Sequence, residues 1–114
     1  MARPIRVTVS SVSASQPIIM NTYNQPSSVG IGVKLNGATT GTWSVQHTFD
    51  DPFESGFTAN AVWYPYTDLT NITTNEDGNY LFPVTAIRLN VTVLSSGAPT
   101  APNTITMTVI PAGY

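Results

Sequence analysis

Three observations predict an all-β chain. Apolar and polar residues alternate with period two along most of its length, turn signals recur roughly every 8–15 residues, and nothing repeats at 3.6 residues with helix caps. The fold class that follows is an antiparallel β-sandwich, jelly-roll or Ig-like, of about seven to nine strands.

The elements can be taken in order. Ile5, Val7 and Val9 alternate with Arg6, Thr8 and Ser10, and a weaker strand covers Pro17 to Thr22. Gln25-Pro26-Ser27-Ser28 is a turn, after which Val29, Ile31, Val33 and Leu35 alternate with Gly30, Gly32, Lys34 and Asn36. Asn36-Gly37 is a hairpin signal, but its distance from Thr42 favours a longer loop than a two-residue turn. Trp43, Val45, His47 and Phe49 share one face of the next strand, which ends at the turn pair Asp51-Pro52. Weaker strands are expected over Asn60 to Tyr64 and Tyr80 to Pro83, separated by a turn from Asn75 to Asn79. Ile87, Leu89, Val91 and Val93 form another buried face, Ser95 to Pro102 a loop, and Ile105, Met107 and Val109 the closing strand. Thr and Val enrichment opposes helix throughout.

The 114 residues fit one domain, 1–114, with short arms at either end and no linker or internal repeat. A chain of this length buries roughly two-thirds of its unfolded surface, enough for an independent core. Only 9% of residues are charged, for a net charge of −2, against about 25% in ordinary soluble domains. Ser, Thr, Asn and Gln take the polar positions. Such a surface is cheap to dehydrate and strands no charge at a contact, which suits a protein that packs against other proteins. The alternative is a secreted or sugar-binding β domain with a bland surface. Four basic residues (Arg3, Arg6, Lys34, Arg88) are too few for a nucleic-acid footprint. With no cysteine there is no disulfide framework and no thiolate site. No stretch approaches the ~20 apolar residues of a membrane-spanning helix, and Met1-Ala2-Arg3-Pro4 runs into a strand rather than a leader, so a non-secreted protein is expected. The sequons at Asn71 and Asn90 then read as chance products of an Asn- and Thr-rich chain.

Chemistry finds little to work with. Asp50, Asp51 and Glu54 form one acidic group and Glu76 and Asp77 another, both in turns where carboxylates are normally solvated. Glycoside hydrolysis needs two carboxylates facing across a cleft. Asn75 to Asn79 lacks the ligand spacing of a calcium loop. His47 is the single histidine, without a partner for metal binding or a nucleophilic triad. No enzyme activity, metal or cofactor is expected.

Candidate contact residues remain. Trp63, Tyr64 and Tyr66 crowd a stretch in which a strand buries only alternate residues, so at least one ring is expected at the surface. Gly30 and Gly32 leave the polar face of a strand bare, which marks either a bulge or a bend, or else a surface over which a ring or neighbouring subunit lies. His47 is either a half-buried or strand-end histidine bonded to backbone or the rim of an interface. Tyr114 closes a neutral arm, Ile110 to Tyr114, that is either a tail or a strap on a neighbour. Arg88 is expected to pair with Asp50 or Asp51.

The segments Gln46-His47-Thr48-Phe49-Asp50-Asp51-Pro52 and Pro83-Val84-Thr85-Ala86-Ile87-Arg88-Leu89-Asn90-Val91-Thr92, with the Thr-rich strand Thr104 to Ile110, resemble the small β-sandwich structural proteins of tailed bacteriophages. The resemblance spans Trp43 to Ile110. It implies a virion component made in the host cytoplasm, a decoration (cement) protein on the capsid exterior. Its partners would be the major capsid protein or other virion proteins, and it would assemble as a trimer or dimer. A carbohydrate-binding, connector or tail-appendage module is the alternative.

Overall fold

The alternating runs fold as strands because β-branched residues suit a pleated, half-buried surface. The computed structural model describes residues 4–20, 29–36, 39–80, 84–96 and 103–111. Eight strands form within them: β1 (Ile5–Val9), β2 (Ile18–Ile19), β3 (Val29–Leu35), β4 (Thr39–Thr48), β5 (Tyr64–Pro65), β6 (Glu76–Tyr80), β7 (Ala86–Ser96) and β8 (Ile105–Pro111).

They make two four-stranded sheets, β1-β8-β3-β6 and β2-β7-β4-β5, with every neighbouring pair antiparallel. The pairs β1·β8, β2·β7, β3·β6 and β4·β5 are those of one long ribbon, folded back between β4 and β5 and then rolled up. That winding is an eight-stranded jelly roll rather than an Ig-like arrangement. The inward faces meet in a single core. Val9, Val29, Ile31, Val33, Ile105, Met107 and Val109 come from one sheet, and Trp43, Val45, Ile87, Leu89 and Val91 from the other. Trp43 is fully buried, and its indole N–H donates to the Thr74 carbonyl at 3.1 Å, so no donor is stranded.

One irregularity changes the expected face of β7. Trp43 lies opposite Val91 but Thr42 lies opposite Val93, so Thr92 is an extra residue, a β-bulge. The period-two parity flips there. Val93, expected inside, is 53% exposed, and Leu94 packs against the core instead. Gly41 sits opposite Leu94 at this point, and a Cβ on it would lie 2.4 Å from the Val93 carbonyl oxygen. Only glycine permits that approach.

Three other expectations are corrected. Asn75 to Asn79 is not a turn: Glu76–Tyr80 pairs with Val29 to Val33, stabilised by the Asn75 side chain accepting from the Leu35 N–H at 2.9 Å. Gly78 makes room there for Leu69, whose Cδ1 would lie 3.0 Å from a Cβ. The strand expected from Asn60 to Tyr64 does not form: Asn60 ends a single helical turn, α1 (Phe57–Asn60), residues 61–63 are irregular, and Tyr64 opens the two-residue β5. Gly56, at φ 85°, starts that turn in a conformation other residues adopt reluctantly. A second single turn, of 3-10 type, covers Thr67–Leu69. Finally, Asn36 does not open a hairpin. β3 and β4 belong to different sheets, and the bond from the Thr39 N–H to the Asn36 carbonyl (3.1 Å) closes a crossover between them. Gly37, residues 21–28, 81–83 and 97–102 of the other expected turns and strands lie outside the described residues.

Candidate functional site

The ribbon's fold-back point carries most of the aromatic residues. His47 faces inward near the end of β4, opposite Tyr64 of β5 and Ile87 of β7. From the other sheet Tyr80, at the end of β6, reaches across the sandwich and its hydroxyl sits 2.8 Å from His47 Nδ1. Tyr66 stacks on Tyr80 (centroids 4.5 Å apart) and donates its own hydroxyl to the Asn79 carbonyl at 2.5 Å. The edges of the two sheets are thereby tied together through aromatic rings.

Burial grades across this cluster. Tyr80 is fully buried and His47 is 6% exposed, whereas Tyr64 is 47% and Phe49 56% exposed. His47 stacks on Tyr64 at 6.0 Å and meets Phe49 edge-on at 5.5 Å. Phe49 and Tyr64 lie 5.8 Å apart at a tilted angle. The result is an exposed pair of rings on a rigid buried base. Burial pushes the His47 imidazole below the ordinary histidine range. Burial first, and then Tyr66, push the Tyr80 phenol above the ordinary tyrosine range, so it keeps its proton. A protonated phenol can donate to Nδ1 only while that nitrogen is bare, which favours a neutral ring.

The connection leading from Phe49 to Trp63 is pinned at its base. The Asp50 carboxylate accepts from the Val62 N–H at 2.7 Å and from the Thr48 hydroxyl at 3.3 Å. Asp51 accepts from the Phe53 N–H at 2.9 Å. This connection exposes Phe53 (81%) and Val62 (54%). Asp50, Asp51 and Glu54 border a small pocket of about 110 Å³ near α1. Among the described residues no group of three or more His, Asp or Glu is placed to hold a metal ion.

Trp63 points the other way, onto the outer face of the β2-containing sheet. The Arg88 guanidinium lies 4.3 Å above its ring, and Phe57 meets it edge-on at 6.1 Å. Arg88 Nε donates to Gln46 Oε1 at 2.7 Å, so Arg88 pairs with an amide and a ring rather than with Asp50 or Asp51. Trp63 and Tyr66 are partly buried, and Tyr64 is the exposed member of the three.

A second surface is the outer face of the other sheet. Gly30 and Gly32 lie on it, and the β3 ladders run through both without a register shift, which removes the bulge explanation. A Cβ on Gly32 would meet nothing within 4 Å, and one on Gly30 only the Ile110 carbonyl at 3.8 Å. A shallow groove of about 720 Å³ covers this face, lined among others by Arg6, Thr8, Gly32, Lys34, Asp77 and Thr108. Asn36 stitches its floor, donating to the Thr104 and Thr106 hydroxyls, both at 2.9 Å. Tyr114 lies outside the described residues.

Sequence reasoning singled out Trp63, Tyr64, Tyr66, His47, Gly30 and Gly32 but missed Phe49 as a surface group, because it continues the buried alternation of Trp43, Val45 and His47. The one available signal was the Asp50-Asp51-Pro52 run beside it, which ends the strand. Compared with known protein families, curated proteins and solved structures, the chain matches none.

Proposed function

We propose that this chain is a non-enzymatic structural protein of a virus particle, a decoration subunit that docks on the major capsid protein. The observation that carries the reading is the exposed Phe49–Tyr64 pair, held on the buried His47–Tyr80 base in a chain only 9% charged. Rigid aromatic rings that lose little entropy on contact are the commonest anchors of protein interfaces. The jelly roll supports the reading by analogy only, since the architecture recurs in viral capsid proteins and in lectins.

The test is binding to capsids assembled without this protein, followed by sedimentation and by electron cryomicroscopy. Wild type should co-sediment and appear as ordered density on the shell. The double variant Phe49→Ala/Tyr64→Ala should weaken binding by about 100-fold or more while leaving the fold intact. Failure of the wild type to bind, or equal binding by the variant, overturns the proposal. The lectin-like use of the fold and the exposed Tyr64 ring favour a carbohydrate-binding appendage as the second reading. A glycan-array signal erased by Tyr64→Ala, with no capsid binding, would establish it.

A further inference from the structure

We propose that the outer face of the sheet β1-β8-β3-β6 is a self-complementary surface that pairs with the same face of a second copy. This inference uses the opposite sheet from the aromatic pair and stands apart from what that pair binds.

The argument starts from the ladder registers. Arg6 lies opposite Thr108, Thr108 opposite Gly32, and Gly32 opposite Asp77, so one row across the outer face reads Arg6, Thr108, Gly32, Asp77. In the next row toward the other end, Ile110 lies opposite Gly30 and Gly30 opposite Asn79. Adjacent strands are about 4.8 Å apart, which puts Arg6 and Asp77 roughly 14 Å from each other. That separation is too great for them to neutralise one another within the chain. Arg6 therefore sits at one margin of the face and Asp77 at the other, with Lys34 on β3 and a side-by-side array of large and small residues between them.

A two-fold axis lying in the plane of contact, along the strands and midway between β8 and β3, exchanges β1 with β6 and β8 with β3. Applied to the row above, it lays Arg6 of each copy on Asp77 of the other. The same operation seats Thr108 over Gly32 and Ile110 over Gly30. Arg6 and Asp77 each meet an opposite charge, Lys34 falls on the hydroxyl-bearing Thr106, and Thr108 and Ile110 each meet a bare position. Two twisted sheets related by such an axis cross at a small angle, as aligned sheets pack. The operation also accounts for both glycines. Each weakens a strand interior, and Gly32 has nothing within 4 Å to require it inside the chain. Ile110, 49% exposed, gains a place to bury. Isologous pairing of this kind closes at two copies and does not propagate.

The face measures about four strand spacings by seven residues, so a pair would bury on the order of 900 Å² in total. That lies at the low end for specific complexes and predicts a dimer that dissociates on dilution.

The test is sedimentation equilibrium on the full chain up to about 1 mM, well above the expected dissociation range. Wild type should move from monomer to dimer with concentration. Arg6→Asp should weaken dimerisation at least tenfold by placing two carboxylates face to face at both contacts, and Asp77→Arg should do so with two cations. An equimolar mixture of the two variants should restore dimerisation, because both contacts in the mixed pair are then again opposite in charge. Circular dichroism on each variant checks that the surface changes leave the fold intact. A wild type that stays monomeric, a higher oligomer, single variants that dimerise like wild type, or a mixture that fails to re-associate would each overturn the proposal.

Discussion

Two glycines of one sandwich should respond in opposite directions to the same substitution. In Gly41→Ala the added Cβ would lie 2.4 Å from the Val93 carbonyl oxygen and 3.3 Å from its carbon. Ordinary contact begins near 3.4 Å, so β4 and β7 must separate by about 1 Å at the bulge, within the longest ladder of the fold. Overpacking of that order costs about 1–3 kcal/mol. The unfolding entropy of a chain this size, about 2.1 cal/mol/K per residue, converts ~2 kcal/mol into a loss of roughly 8 °C in Tm. In Gly32→Ala the Cβ enters open space. Only the backbone effect remains, and replacing a strand glycine gains about 0.5–1 kcal/mol, or roughly 2–4 °C. Thermal unfolding followed by far-UV circular dichroism reads both, in dilute solution so that self-association does not contribute. An unchanged Tm for Gly41→Ala, or a matching loss in Gly32→Ala, would refute the steric account of the bulge.

Burial holds the folded-state pKa of His47 below that of the unfolded chain. Its contribution to stability is therefore full above the unfolded value near 6.5 and is lost as pH falls from there toward the folded pKa. The Tm of wild type should drop across that window, and the drop should shrink in His47→Gln; an identical pH profile for the variant would contradict the assignment. Arg88→Lys keeps the charge but loses the Nε–Gln46 bond and the planar stack on Trp63, and should cost about 1 kcal/mol in urea unfolding with a red-shifted, more solvated tryptophan emission. Asn75→Ala removes the acceptor of the Leu35 N–H at the start of β6, and should cost about 1 kcal/mol while speeding amide exchange at Leu35.

The fold class was legible because strand periodicity is a local property. Val29 to Val33 and Ile105 to Val109 bury the face their alternation marks, and β1 does so increasingly along its length, from an exposed Ile5 through a partly buried Val7 to a buried Val9. Periodicity says nothing about which strand lies beside which, so the choice between jelly-roll and Ig-like winding could not be made from it. It also fails where parity is broken by a single inserted residue, as at Thr92, and Val93 was accordingly placed on the wrong face. β6 was hidden by its composition, since Glu76-Asp77-Gly78-Asn79 reads as a turn. Its strand geometry comes from pairing with β3, and Gly78 serves the packing of Leu69 rather than a reversal. Among the aromatic residues, alternation correctly required one exposed ring, and Tyr64 is that ring. The Tyr80–His47 bond, joining residues far apart in sequence, carries no local signature.

The rolled-ribbon topology bears on how the chain comes to be folded at all. Among the described residues β4 and β5 are the only sequential neighbours that pair; the other ladders join strands distant along the chain, with β1 reaching to β8. Such long loop closures slow folding. Moreover β8 lies between β1 and β3, so neither of these can complete its ladder until residues through Pro111 have left the ribosome. During synthesis the apolar sides of β1 and β3 must wait, uncovered, for their shared partner. A sparsely charged chain with few gatekeepers against premature association is thus most exposed to aggregation while it is being made, and least once β8 has inserted.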